Sequence, residues 1–141
     1  DRIVLNAGNL AVLSQLDVDG GAGCDTLALG TDVADATVDL VALGNGRLTG
    51  IEVVDLTGGG NNTLRLNVRD LIAIPDEGGR LVIRGNAGDK VALVKAGGDF
   101  GGAWSKAGTQ VLDGEAYNAF LNSSAPMEVL LVGQLLSVAI A

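Results

Sequence analysis

The sequence contains no histidine, one cysteine, two prolines and only 3% aromatic residues. Without histidine, catalysis by serine–histidine–aspartate or cysteine–histidine groups is excluded, and so is metal binding through imidazole. The single cysteine, Cys24, excludes an internal disulfide and is interpreted as a small filler residue. Because aromatic residues are so few, the core must be built from leucine, valine, isoleucine and alanine.

Basic residues are also scarce. Nine lysine and arginine residues stand against seventeen acidic residues, which gives a net charge of −8 and a pI near 4.2. Phosphate backbones and anionic membranes repel a chain this acidic, whereas divalent cations do not. The charge balance therefore predicts no nucleic-acid partner.

No apolar run is long enough to cross a membrane. The C-terminal stretch "MEVLLVGQLLSVAIA" (127–141) falls short of the ~20 residues of a transmembrane helix, and polar residues interrupt it. Two interpretations of this tail stay open: its residues form strands that pack on the core, or it is a secretion signal. The first predicts burial of five side chains: Val129, Leu131, Leu135, Val138 and Ile140.

Glycine, in contrast, is abundant, with 22 residues and no three-residue period. This abundance indicates many tight turns between short strands. The stretch "GGAGCDTLALG" (20–30) matches the nonapeptide G-G-x-G-x-D-x-U-x of calcium-binding parallel β-rolls, where U is a large apolar residue. The sequence contains only one full copy of this motif.

Partial copies of the same pattern recur along the chain. An acidic or amide residue follows a turn and opens a strand with alternating apolar residues at Asp1, Asp25, Asn62 and Asp89. These positions are unequally spaced, with the widest interval between Asp25 and Asn62. The alternation predicts inward side chains in every strand. These side chains are Ile3, Leu5, Leu27, Leu29, Leu64, Leu66, Val91 and Leu93.

These repeats predict a single, mostly β domain over residues 1–141. Because the intervals are unequal, we expect an irregular parallel β-solenoid, with β-roll- or β-helix-like coils, over residues 1–95. A short helix or helical turn is expected within residues 67–79, ending before Pro75, with Asp70 as its cap. Residues 96–141 are expected to form a C-terminal antiparallel β cap, with turns at Asp113-Gly114 and near 123–126.

The runs "GIEVVDLTGGGNNTLRLNVRDLIAI", "LVIRGNAGDKVALV", "DGEAYNAF" and "EVLLV" resemble a module of large RTX-type (repeats-in-toxin) bacterial adhesins and type I-secreted surface proteins. The resemblance covers residues 16–133. It implies an extracellular or cell-surface location, secretion without an N-terminal signal, and neighbouring domains of the same large protein as partners. It also implies a non-catalytic structural or adhesion role, as in biofilm formation.

The resemblance further implies a calcium site. In the family, carbonyl groups of the glycine turn and the aspartate carboxylate bind calcium, which takes six to eight oxygen ligands. The corresponding residues here are Gly20, Gly21, Gly23 and Asp25, with Asp19 just upstream. The alternative is a turn whose acidic and amide side chains only hydrogen-bond to backbone amides.

The residues themselves suggest two further functions. Paired carboxylates such as Asp17 and Asp19 suit glycosidases, but they are interpreted as a solvated face, so no enzyme is predicted. Trp104 and Tyr117 are candidates for stacking on a sugar, which would make the domain a module that binds polysaccharide or another cell-surface ligand. The alternative is that both aromatic residues anchor the core.

Overall fold

The computed structural model describes residues 1–15, 17–43, 47–75 and 79–140. Strands form 48% of the chain and helices 15%, which confirms the mostly β class. The strands are β1 (Arg2–Leu5), β2 (Val18–Asp19), β3 (Thr26–Leu29), β4 (Thr37–Asp39), β5 (Leu48–Thr49), β6 (Val53–Asp55), β7 (Thr63–Leu66), β8 (Arg80–Arg84), β9 (Lys90–Leu93), β10 (Trp104–Leu112), β11 (Glu115–Asn122), β12 (Ala125–Gly133) and β13 (Ser137–Ile140).

These strands form three sheets. The largest is a mixed seven-stranded sheet of order β1-β3-β6-β8-β12-β11-β10, in which the first five strands are parallel. A parallel four-stranded sheet has the order β13-β9-β7-β4, and β2 pairs with β5. Four times along the chain, a strand of the large sheet is followed by a strand of the four-stranded sheet. We call β3–β4, β6–β7, β8–β9 and β12–β13 the four strand pairs.

Aliphatic side chains in register fill the space between the two larger sheets. In the four-stranded sheet, Leu64 lies beside Val38 on one neighbouring strand and Val91 on the other. In the large sheet, Leu27 lies beside Ile3 and Val54. Seven of the eight predicted inward residues are buried, and Ile3 is partly buried against the same core. The predicted alternation is therefore confirmed.

The sequence pattern treats the four turns as equivalent, but the structure divides them between two sheets. Asp1 and Asp25 precede strands of the large sheet, whereas Asn62 and Asp89 precede strands of the four-stranded sheet. The wide interval between Asp25 and Asn62 is therefore a change of sheet. Within the large sheet Thr26 pairs with Val53, so one repeat of this sheet spans residues 26–52. We call the turns that lead into the strands of each sheet the corners of that sheet. The corners of both sheets have similar turn residues and are followed by similar alternation, so sequence alone does not distinguish them.

Short helices connect the strands in the described part of the chain. The α-helices are α1 (Ala7–Ala11), α2 (Leu40–Leu43) and α3 (Val68–Ala73), and 3₁₀ helices lie at Leu13–Gln15 and Gly98–Phe100. Helix α3 is the predicted helix, and it begins in a capping box. The side chain of Asn67 accepts hydrogen bonds from the first helical turn, and Asp70 accepts the Asn67 N–H at 2.9 Å. Such reciprocal capping satisfies N–H groups that have no partner inside the helix.

The antiparallel part is a hairpin of β10 and β11 that also pairs with β12. Its turns lie at Asp113–Gly114 and at Ser123–Ser124, close to the predicted positions. However, β12 and β13 are parallel to β8 and β9. The hairpin is therefore inserted between two strand pairs, and does not follow the last of them as a cap over residues 96–141 would.

The C-terminal tail forms strands, but the inward side chains differ in part from the prediction. Leu131 is buried, Val129 and Val138 are partly buried, and Leu135 and Ile140 are exposed. The buried side chains that this segment contributes to the main core are Leu130, Val132 and Leu136, and the predicted Val138 packs against the same core. These residues all lie at even positions, so the alternation continues across the turn, and the inward face of β12 is opposite to the predicted face that contains Val129 and Leu131; Leu136, and not Leu135, therefore lies in the core.

Candidate functional site

The glycine turn at residues 20–25 packs tightly against Gly50, which follows β5. A Cβ atom at Gly20 would lie 2.1 Å from the carbonyl oxygen of Gly50 and 2.8 Å from Asp25 Cβ. Gly21 and Gly23 have φ angles of 86° and 109°, which are accessible to glycine and strained for other residues. Asp19 is exposed, and its carboxylate accepts the Gly21 N–H at 2.9 Å. Glycine is thus required here for packing and backbone conformation.

Asp25 closes this turn and is almost completely buried, with 2% of its surface exposed. One carboxylate oxygen, Oδ1, accepts a hydrogen bond from the main-chain nitrogen of Asp1. The backbone N–H of Asp25 in turn donates to Glu52 Oε2 at 2.8 Å. The other carboxylate oxygen, Oδ2, is buried and has no hydrogen-bond partner among the described residues.

The corresponding corner of the four-stranded sheet is formed by Asn62 and Asp89, which are both fully buried. Asn62 Oδ1 accepts the Ala36 N–H at 3.0 Å, and its amide group donates to the carbonyl groups of Leu56 and Gly59. Asp89 Oδ1 accepts the Asn62 N–H at 2.8 Å, and Oδ2 accepts the Asn86 N–H at 2.7 Å. Both side chains therefore use their oxygen atoms to bind backbone.

One rule describes both corners. Each corner side chain accepts the main-chain nitrogen of the residue at the same position in the preceding strand of its sheet. At the corner of the large sheet, Asp25 accepts the main-chain nitrogen of Asp1, and Glu52 accepts that of Asp25. At the corner of the four-stranded sheet, Asn62 accepts the N–H of Ala36, and Asp89 accepts that of Asn62. Buried backbone N–H groups need a partner, and these side chains supply it.

This arrangement offers few ligands to a calcium ion. Calcium takes six to eight oxygen ligands, most often with several carboxylates. No cluster of three or more histidine, cysteine, aspartate or glutamate side chains able to hold a metal is found in the part of the chain that the structure describes. Of the predicted ligand side chains, Asp25 has a buried carboxylate oxygen without a partner there, and Asp19 is exposed with one oxygen bound to the Gly21 N–H. The described residues therefore do not fit a complete calcium shell.

The two aromatic candidates lie inside the protein. Trp104 is 5% exposed, belongs to the main core and donates its indole N–H to the Val94 carbonyl at 3.0 Å. Tyr117 is fully buried in a second cluster with Val53 and Val82 on the outer face of the large sheet. Neither ring presents an exposed face on which a sugar could stack.

The hydroxyl group of Tyr117 connects two charged residues. It donates to Glu115 Oε2 at 2.9 Å and accepts from Arg84 Nε at 3.1 Å. Burial raises the pKa of the Tyr117 hydroxyl above its ordinary value, despite the nearby guanidinium. The hydrogen bond to Tyr117 raises the pKa of Arg84. The hydrogen bond from Arg84 to Tyr117 holds Arg84 in the lining of a cavity that Arg80 and Cys24 also line.

The sequence interpretation did not single out Arg80 or Arg84. The visible signal was the alternation in "RLVIR" (80–84), which places both arginines on the outer face of β8. The alternation gave no sign of the hairpin that lies across that face.

Comparison with protein-family models, with curated proteins and with solved structures gave no match. Among the described residues, no helix is long and apolar enough to cross a membrane.

Proposed function

We propose that this chain is a non-catalytic structural or adhesion module of a large secreted bacterial surface protein, built as a β-solenoid with an inserted hairpin. In this proposal each strand pair is one coil. The supporting observation is that the corner side chains, which in β-rolls bind calcium, here accept backbone N–H groups of the preceding strand. Polar groups of the repeat thereby stabilise the stack itself.

Stacked coils suit a role in extending or holding other domains. In repeat proteins each unit contacts only its neighbours, so length can change without altering the contacts inside a unit. The extracellular location, the type I secretion and the neighbouring domains are supported by the RTX-like motif at 20–30 and by the acidic composition. Detection of the domain on intact cells by antibody, and its removal by added protease, tests the location. An epitope that stays protected from protease would contradict it.

Duplication of one coil tests the solenoid. We would insert a second copy of residues 26–52 directly before Val53, which adds one full repeat in the register of the large sheet. A solenoid accommodates the extra coil, so the longer chain should unfold cooperatively at a temperature close to that of the original. The control carries the same inserted segment in scrambled order and should lose cooperative unfolding. Loss of folding in both variants would overturn the proposed coil architecture.

Calcium takes no part in this proposal, because Asp25 Oδ2 is the one buried side-chain oxygen without a partner among the described residues, and a calcium ion takes six to eight oxygen ligands. The carbohydrate-binding alternative cannot rest on Trp104 or Tyr117, since both are buried.

A further inference from the structure

A cavity of about 380 Å³ lies on the outer face of the large sheet. The β10–β11 hairpin creates it, because its tip at Leu112 and Asp113 reaches across to β8 and β6. The hairpin register shifts between Lys106 and Thr109, around Gly108, whose φ is 89°. Such a bulge bends a strand.

The opposite wall is Gly23 and Cys24, from the glycine turn. The volume falls within the range of small-molecule sites.

The floor of the cavity is apolar. Val53 and Val82 project from adjacent strands on the outer face, and Leu112 packs beside them. These side chains form part of the second cluster, together with the buried Tyr117. A floor of this kind favours ligands with an apolar face, such as the C–H face of a sugar ring.

Two guanidinium groups flank this floor. Arg80 and Arg84 project on either side of Val82 along the same strand, and both line the cavity. Arg84 is held by the hydroxyl group of Tyr117. Arg80 is exposed and makes no ion pair with any described residue. Its guanidinium can therefore pair with an anionic group of a ligand.

The charge of the site is mixed. Glu52 and Asp113 line the same cavity as the two arginines. A ligand with two negative charges on one group would be repelled by these carboxylates, whereas a ligand with one carboxylate and several hydroxyl groups would not. Its carboxylate would pair with Arg80, its hydroxyl groups would donate to Asp113, and its C–H face would cover the floor.

We propose that this cavity binds a sugar carrying a single carboxylate, a uronic acid, with Arg80 as the residue that recognises the charge. This role does not depend on the solenoid proposal, because the described residues that line the cavity come from β8, the glycine turn, the hairpin and the start of β6.

Cys24 provides a reporter of occupancy. It is the sole cysteine of the chain, it is exposed, and it lines the cavity. We would follow alkylation of Cys24 by the neutral reagent iodoacetamide in the presence of sodium D-glucuronate, D-glucose or sodium sulfate at matched ionic strength. Glucuronate should slow the reaction in a saturable manner, whereas glucose and sulfate should not. No slowing by glucuronate, or equal slowing by glucose or by sulfate, would overturn the proposal.

Variants at Arg80 identify the recognising residue. Arg80→Gln should weaken glucuronate binding about tenfold or more, because a charge-assisted hydrogen bond is lost. Arg80→Lys should weaken it less, since the charge remains while the bidentate geometry is lost. The matched control is Lys106→Gln, which removes an exposed charge from β10 outside the cavity and should leave binding unchanged. Thermal unfolding establishes that each variant is folded. Unchanged affinity in folded Arg80→Gln, or equal weakening in Lys106→Gln, would overturn the assignment.

Discussion

Asp89 accepts the backbone N–H of Asn62 through Oδ1 at a distance of 2.8 Å, across two neighbouring strands of the four-stranded sheet. Its second oxygen accepts the N–H of Asn86 within its own turn. One buried carboxylate thus fixes both the local turn and its position against the preceding strand. The same residue type in the same motif binds calcium in β-rolls, so the partner of each oxygen decides its role.

Asp89→Asn should lower the free energy of unfolding by about 1–3 kcal/mol. Asparagine has one acceptor oxygen, so its amide group would face one of the two N–H donors and leave it unsatisfied. Urea denaturation at neutral pH measures the change, and Asp99→Asn, in the exposed part of the 3₁₀ helix Gly98–Phe100, is the control. Equal stability of the two variants would show that the two hydrogen bonds contribute nothing.

Asp25→Asn should leave stability nearly unchanged, because only one of the two Asp25 oxygens has a partner among the described residues. We also expect 10 mM calcium to change the melting temperature of neither protein, since too few oxygen ligands converge. A calcium site with a Kd near 1 mM would instead add roughly 1.4 kcal/mol to the wild type alone. Calorimetric melting with calcium or with a chelator distinguishes the two outcomes.

Leu64→Ala should cost about 2–5 kcal/mol, as is typical when a buried aliphatic side chain is truncated. Leu64 is fully buried between Val38 and Val91 in the core ladder. Met127→Ala, at a position that is 88% exposed, should change stability little. A loss under about 1 kcal/mol in chemical denaturation of Leu64→Ala would contradict the register of this ladder.

Two adjacent leucines test the register of the tail. Leu136 is 6% exposed and Leu135 is 66% exposed. Leu136→Ala should therefore cost about 2–5 kcal/mol, while Leu135→Ala should cost almost nothing. Equilibrium unfolding of the two variants gives the comparison directly. The opposite order would restore the alternation expected from sequence.

Asp55 should make stability depend on pH in the acid range. Burial alone would raise its pKa, but hydrogen bonds from Thr57 and the Arg2 guanidinium outweigh burial and hold the pKa below 3.8. A carboxyl group whose folded pKa is lowered stabilises the fold above its unfolded pKa, and this contribution is lost as the pH falls below 3.8. Asp55→Asn should thus be less stable than the wild type at pH 7, and its stability should decline less steeply than that of the wild type at acid pH.

Denaturation curves recorded across the acid range, with Asp99→Asn alongside, measure this slope. Asp70 acts in the opposite direction, because burial raises its pKa and favours its protonated form in the folded state. A decline in Asp55→Asn as steep as that of the wild type would assign the acid sensitivity to other groups.

The sequence alone determined the mostly β class, the inward aliphatic residues and the position of α3. Each depends on a short-range pattern: strand residues alternate between faces, and a helix needs a cap and ends before proline. It also excluded histidine-based chemistry, since composition needs no structure.

Tertiary structure decided which sheet each turn enters, which side of the tail faces the core and where Trp104 and Tyr117 lie. Asp25 and Asp89 open similar strands, yet their carboxylates have different partners because those partners come from neighbouring strands that are distant in the chain. The cavity around Arg80 likewise exists only because the hairpin crosses two strands that precede it in the chain. Such contacts depend on long-range pairing, which local alternation does not specify.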